Sequence, residues 1–298
     1  MTFKQLELED RPVFIKAQSE APPLIGDTVF TNLFIWRSYY RTVWAEAHGC
    51  LCLIARPEGE EPFGLAPVGG GDQLAALDFT LDALKAMTDK PCFRRVPEAL
   101  AEKIQAAGLP YECLHDRDND DYVYPAEQLR TLSGRRMHQK KNHYNFFVSH
   151  NQFECLPLSD ELIPDLLAVQ EGWLAIKEEQ NISLSHLRHE VESVHELLRH
   201  FKDFNQLGLA VKINGRIEGF TMGEIISPDT VLVHLEKANY DIRGLFVALS
   251  SHFCEKLPPE IVYVNREQDL GLPGLRHSKE SLKPDHMRQK FTITPISN

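Results

Sequence analysis

Two rhythms of apolar residues run along the chain, and each predicts an element type. The run Phe30–Trp44 (FTNLFIWRSYYRTVW) reads as an aromatic, helix-like entry. Cys50–Ala55 (CLCLIA) and Phe63–Val68 are apolar stretches short enough to be strands. GGGD at 69–72 is a turn and not a phosphate cradle, because no G-x-x-x-x-G-K-[ST] pattern surrounds it. QLAALDFTLDALKAM and PEALAEKIQAAGL repeat apolar residues at helical spacing, with Pro97 placed for a first turn and Gly108 for a stop. A short strand at Tyr111–Leu114 then leads into the charged loop HDRDNDD.

From Asn151 onward the pattern is clearer. Glu154–Leu156 reads as a strand and Asp160–Lys177 as a helix. Leu187, Val191, Val194, Leu198 and Phe201 fall on one helical face, which predicts a helix over 185–204. GLAVKI, Asn214-Gly215 and RIEGFTMGEII form a hairpin signal with a type I′ turn. VLVHLEKA (231–238) is a third strand, Ile242–Lys256 a helix, IVYVN (261–265) a strand, and the tail is mixed. The expected organisation is α/β (α+β) in two domains, 1–150 and 151–298, with a basic linker helix ending the first.

Charge narrows the partners. The 298 residues carry 32 lysines and arginines against 43 aspartates and glutamates, a net of -11. That balance argues against a generally basic nucleic-acid or membrane-surface binder. Its distribution is uneven, however: residues 130–143 hold five cations and no acid. No stretch approaches the ~18 apolar residues of a membrane span, and the first residues lack a secretion signal, so a cytoplasmic protein is expected. The six cysteines are scattered, fit reduced core thiols, and offer no second Cys/His pair at metal spacing.

Three segments are denser in polar residues than folding requires. LSGRRMHQKKNH carries Arg135, Arg136, Lys140 and Lys141; as a helix it would put Arg136, Lys140 and His143 on one face, fit either for phosphates or for solvent. HLEKANYDIRG carries His234, Glu236 and Lys237, and strand alternation puts His234 and Glu236 on one face. NREQDLGLPGLRHSKESLKP carries Asn265, Arg266, Asp269, Arg276 and Lys279 in a loop after an apolar strand, as a pocket lining or as an ion-paired structural loop.

These strings, together with DTVFTNLFIWRSYY, resemble the family of the phosphatidylglycerol lysyltransferase C-terminal domain, from about Asp27 to Phe291. The resemblance implies two tandem N-acetyltransferase-like domains, each a mixed sheet flanked by helices, similar also to the cell-wall aminoacyl and peptidyltransferases. It implies an aminoacyl group taken from a charged tRNA, with a small molecule or lipid head group as acceptor. Relatives of this fold hold the pyrophosphate of coenzyme A at a helix start bearing R/Q-x-x-G-x-G/A. Here Asp241, Ile242, Arg243 and Gly244 supply one glycine, and Asp241 would repel a phosphate.

The chemistry asked of such a site is attack by an amine or hydroxyl on an activated carbonyl, with proton removal and oxyanion stabilisation. No covalent nucleophile, metal or cofactor is required. Glu236 is the candidate acid/base or amine-binding group, Asp269 the alternative for that task, and Asn265 an orienting group. Arg266, Arg276 and Lys279, with His234 and Lys237 beside them, would bind substrate; Arg135, Arg136, Lys140, Lys141 and Gly244 would receive phosphates of a tRNA or of acyl-coenzyme A. Three classes stay open: an aminoacyl-tRNA-dependent transferase, an acyl-coenzyme A-dependent N-acyltransferase, and a non-catalytic binding module.

Overall fold

The computed structural model of the chain describes residues 2–179 and 184–296, without the side chains of residues 176–187. In chain order the elements are β1 (Lys4–Gln5), α1 (Arg11–Glu20), α2 (Phe30–Ile35), α3 (Arg37–Tyr40), β2 (Val43–Ala47), β3 (Cys50–Ala55), β4 (Phe63–Gly64), α4 (Gln73–Lys85), β5 (Phe93–Pro97), α5 (Glu98–Ala106) and β6 (Tyr111–His115). There follow β7 (Asp121–Pro125), α6 (Ala126–Thr131), α7 (His138–His150), β8 (Phe153–Pro157), α8 (Ile163–Glu179), α9 (Leu184–Arg199), β9 (Leu207–Ile213), β10 (Arg216–Ser227) and β11 (Thr230–Ala238). The chain closes with α10 (Leu245–Lys256), β12 (Tyr263–Asn265), α11 (Pro273–Ser281), β13 (His286–Arg288) and β14 (Lys290–Pro295).

The strands form two mixed sheets of seven, in the orders β1-β2-β3-β4-β5-β14-β6 and β13-β7-β12-β11-β10-β9-β8. The chain divides into unit 1 (Met1–Asp121, Glu267–Leu272 and Met287–Asn298) and unit 2 (Tyr122–Arg266 and Pro273–His286). The division expected at residue 150 therefore falls elsewhere. Residues 122–150 join unit 2 because β7 pairs antiparallel with β12, Val123 opposite Asn265. The tail returns to unit 1 because β14 inserts between β5 and β6. Both pairings join residues far apart in sequence, so no local pattern announces them.

In unit 1, alternation along β2 sorts its side chains. Val43 packs with Leu77, Leu84, Phe93 and Ile104 beneath α4 and α5. Trp44 stands edge-on to Phe14 with ring centroids 5.3 Å apart, and its indole N–H donates to Asp10 Oδ2 at 2.9 Å. Asp72 caps α4 by accepting from the Leu74 and Ala75 N–H groups. Pro97 is the N-cap of α5, one position before the expected first turn. The Phe30–Trp44 segment is two short helices and then strand β2, not one helix, and Arg41 turns the chain between them at φ 44°. Of Phe63–Val68 only Phe63–Gly64 is strand, with Val68 bridging back to Leu51.

Unit 2 holds the expected hairpin: Asn214 and Gly215 both take positive φ, 49° and 84°, between β9 and β10. Lys237 of β11 contacts Trp173 of α8, whereas its neighbour Glu236 points toward Arg266 and α10. Successive strand residues face opposite ways, so α8 and α10 cover opposite faces of the sheet. Helix α9 ends at Arg199, before the expected 204, and Phe201 is buried in the turn that follows. The side chain expected of Leu187 lies outside the described residues, as does that of Lys177.

Candidate functional site

The site of interest is built where the second sheet departs from regular pairing. Met222 of β10 lies opposite Leu235, but Gly223 lies opposite Val233, so His234 is an extra residue in β11. This is a β-bulge, a device that re-aims side chains. Gly223 is required there, since a Cβ would stand 2.4 Å from the Leu232 carbonyl oxygen. On the other side, β12 pairs parallel with β11 only from Thr230–Tyr263 to Leu232–Asn265. Past Asn265 the backbone stays beside β7, with the Arg266 N–H donating to the Tyr122 carbonyl at 2.9 Å.

The side chain of Arg266 bridges the resulting gap. Its Nη2 donates to Glu236 Oε1 at 2.6 Å and its Nη1 to Ser250 Oγ at 3.2 Å. The two charged side chains are 15% and 11% exposed. Burial disfavours the guanidinium charge, but Glu236 and Tyr124 outweigh it and hold Arg266 firmly protonated. Lys279 of α11 donates from Nζ to the Arg266 carbonyl, and Tyr124 fixes that helix by donating to the Lys279 carbonyl at 2.8 Å. Lys140 of α7 has its pKa lowered, first by burial and then by the fields of Arg266 and Lys283. Glu236, Arg266, Lys279, Lys140 and Lys283, far apart in sequence, thus act on one electrostatic site.

The remaining expected residues have other surroundings. Asn265 is buried at the end of β12. His234, at the bulge, has its Nε2 2.9 Å from Glu224 Oε1; the bulge falls in the alternation that would place it with Glu236. Lys237 lies on the opposite face, its Nζ 3.2 Å from the Trp173 ring centroid and 2.5 Å from Glu190 Oε1. Arg276 sits half-exposed on α11. Arg135 and Arg136 are exposed in a single turn before α7, so Arg136 does not share a helical face with Lys140. Lys141 donates to the Thr131 carbonyl at 3.1 Å. Gly244 takes φ 86°, and a Cβ there would stand 2.2 Å from the His143 carbonyl oxygen, so its glycine is explained by packing on α7. Asp269 belongs to unit 1, where its buried carboxylate receives Arg117 Nη1 at 3.3 Å and the Gly271 N–H at 2.8 Å, locking the loop.

Several residues of this site carried no local signal. Ser250 and Tyr124 look like ordinary helix and strand residues, and Lys283 like a loop charge. Cys254 is buried close by, and burial pushes its thiol up to about 12, which disfavours the thiolate. In unit 1 the structure adds a buried charge network. Lys290, fully buried, reaches Asp121 Oδ1 at 2.5 Å and also Asp27. Asp27 in turn receives Arg95 Nη1 at 3.1 Å. Unit 1 also holds a cavity of about 280 Å³ and a groove of about 1100 Å³, neither lined by Glu236, Asn265, Arg266 or Lys279.

Two mixed sheets flanked by helices, with a bulged strand parting from its parallel neighbour, make a tandem acetyltransferase-like class of fold. Within that class, the chain belongs to the family of the phosphatidylglycerol lysyltransferase C-terminal domain, whose profile matches residues 23–294. It is similar to a conserved protein of unknown function from Bacteroides thetaiotaomicron, 27% identical over 99% of both chains with a TM-score of 0.91. It shares its fold with L-PGS from Bacillus licheniformis, 14% identical over 100% of this chain and 95% of that one, TM-score 0.69. A curated relative, an uncharacterised protein of Mycoplasmoides gallisepticum, is 22% identical over 193 residues, 62% of this chain, and the match spans 59% of that protein's length. Among the described residues no helix is long and apolar enough to cross a membrane.

Proposed function

We propose that the chain is an aminoacyl transferase whose chemistry lies in unit 2, moving an aminoacyl group from an aminoacyl-tRNA to an amine or hydroxyl acceptor. The observation that carries this reading is Arg266, buried and aimed by Glu236 at the parting of β11 and β12, with Lys140, Lys279 and Lys283 about it. Attack on an ester carbonyl develops negative charge on oxygen and releases a tRNA hydroxyl. Arg266 supplies fixed N–H donors for that oxyanion. Glu236 positions Arg266 and attracts an incoming ammonium. Lys140, more readily neutral than an ordinary lysine, takes the proton that the nucleophile loses and returns it to the leaving tRNA oxygen. The lysines supply the field for phosphates at the tRNA end. No cofactor is needed, and the family's name suggests a phosphatidylglycerol-like hydroxyl as one acceptor.

The test is transfer from a set of radiolabelled aminoacyl-tRNAs to lipid and soluble acceptors. Glu236→Gln and Arg266→Lys should each lower turnover by about two to four decades with folding retained. Turnover with acetyl-coenzyme A and none with any aminoacyl-tRNA would remove the donor assignment. Absence of turnover with every donor, beside saturable ligand binding, would leave a non-catalytic module.

A further inference from the structure

Unit 1 contains a cavity that the transfer chemistry does not use. Arg94 and Arg95 of β5 both line it, although successive strand residues normally point to opposite faces. The reason is visible in the backbone: Arg95 is a non-glycine residue at φ 55°. Such a conformation persists only where its surroundings hold it, and it concentrates at ligand sites. Here the holders are Asp27 at 3.1 Å and the Tyr40 hydroxyl at 2.6 Å. Arg94 lies over the Phe63 ring and makes only a loose 3.4 Å contact with Glu60, whose other oxygen receives the Tyr39 hydroxyl at 2.8 Å.

The opposite lining is made of acceptors. Asp116 and Asn119 follow β6, and the Asn119 amide N–H donates to Asp116 Oδ2 at 2.9 Å. β14 separates β5 from β6 in the sheet, so the cationic and acceptor walls stand about 9–10 Å apart at the backbone, with Thr292 of β14 in the lining. A simple anion would satisfy the arginines and face Asp116 unfavourably. A simple amine would engage Asp116 and leave the Arg94 guanidinium with only its long 3.4 Å contact to Glu60. At about 280 Å³ the space suits a molecule of amino-acid size.

We propose that this cavity binds a free zwitterion of the α-amino acid class, its carboxylate on Arg94 and Arg95 and its ammonium on the Asp116 carboxylate. The site is separate from the transfer chemistry of unit 2, and its occupancy is measured with no tRNA present. The test is calorimetric titration of the full chain with the common amino acids, beside propionate and propylamine as half-ligands. At least one amino acid should bind saturably below about 1 mM, and the half-ligands at least about tenfold more weakly. Arg94→Ala and Asp116→Asn should each weaken binding by about tenfold or more, the loss expected for one charge-assisted hydrogen bond, with cooperative unfolding of the ligand-free chain retained. No amino acid binding up to about 10 mM, equal binding in both variants, or propionate binding as tightly as any amino acid would each overturn the proposal.

Discussion

Arg266 Nη2 donates to Glu236 Oε1 at 2.6 Å at the point where β11 loses its parallel neighbour. The pair joins the residue just past β12 to the closing residues of β11, where β11 has no backbone pairing with β12. Removing one partner strands the other charge in a site from which water is largely excluded. Glu236→Ala should therefore cost about 3–5 kcal/mol of stability in urea unfolding. Glu236→Gln, which can still accept from the guanidinium, should cost less. In a double-mutant cycle with Arg266→Ala the two losses should fail to add by more than about 0.5 kcal/mol. Additive losses would mean that the pair is not coupled in solution.

The acid limb of stability should report on Asp27. Burial alone would push its carboxyl up, but Lys290 and Arg95 hold it below the ordinary carboxylate range. A depressed carboxyl contributes stability that is complete above its unfolded value of about 3.9 and is lost as pH falls through the folded value. Asp27→Asn should flatten the decline of the urea midpoint below about pH 4. Lys290 has the opposite sense. Burial opposes its charge, but Asp121 and Asp27 raise its pKa, so its contribution is complete below about pH 10.4 and lost only as pH rises through the folded value. An unchanged acid limb in the Asp27→Asn variant would show that other carboxylates dominate acid unfolding.

Lys140 should show the reverse economy, a residue that weakens the fold where it stands. Its pKa is lowered by burial and by Arg266 and Lys283, so the unfolded chain holds the proton more tightly. The penalty is complete below the folded pKa and disappears as pH approaches about 10.4. Lys140→Met should therefore raise the melting temperature at about pH 7, and the gain should vanish near about pH 10.5. The same variant should lose transfer activity. A drop in melting temperature at neutral pH would contradict the burial of this amine.

The parts of this picture that were legible in the sequence are those whose physics is local. Asn214-Gly215 forced the hairpin because two adjacent positive φ values admit few other residues. The strand at Cys50–Ala55 and the helix at Gln73–Lys85 followed from runs of apolar residues and, for the helix, their spacing. The division between units was not legible, because β7 and β14 acquire their places by pairing with strands far along the chain. The site was half legible. Glu236 and Arg266 stand out as charges beside apolar strands, but their pairing joins positions 30 residues apart that no local pattern connects. Asp269 looked equivalent to Glu236, yet its partners Arg117 and Gly271 give it the task of fixing a loop.

Gly244→Ala tests whether that glycine is a packing residue. The backbone there is left-handed, and the added methyl would meet the His143 carbonyl at 2.2 Å, with the Phe147 Cβ at 3.1 Å. Backbone strain alone costs about 1 kcal/mol, and separation of α10 from α7 adds to it. The variant should lose more than about 2 kcal/mol in urea unfolding. A stable variant with lost substrate affinity would instead assign Gly244 to phosphate contact.

Salt dependence offers the sharpest test of where a tRNA would bind. Each phosphate neutralised by a cation releases counterions, so the logarithm of affinity falls with the logarithm of salt by about 0.7 per contact on a single strand. Lys140, Lys279 and Lys283 share the electrostatic site of Arg266, and Arg135 and Arg136 are exposed just ahead of α7. Lys283→Gln and Arg136→Gln should each reduce the slope by about 0.7–1, measured by anisotropy of labelled deacylated tRNA between about 50 and 300 mM salt. Lys237 is the control, because it lies on the opposite sheet face and is already paired with Glu190. Lys237→Gln should leave the slope unchanged. A slope that responds to Lys237 and ignores Lys283 and Arg136 would put the RNA on the α8 face and separate it from the Glu236–Arg266 pair. A slope that ignores all three would remove a polyanionic donor from this unit.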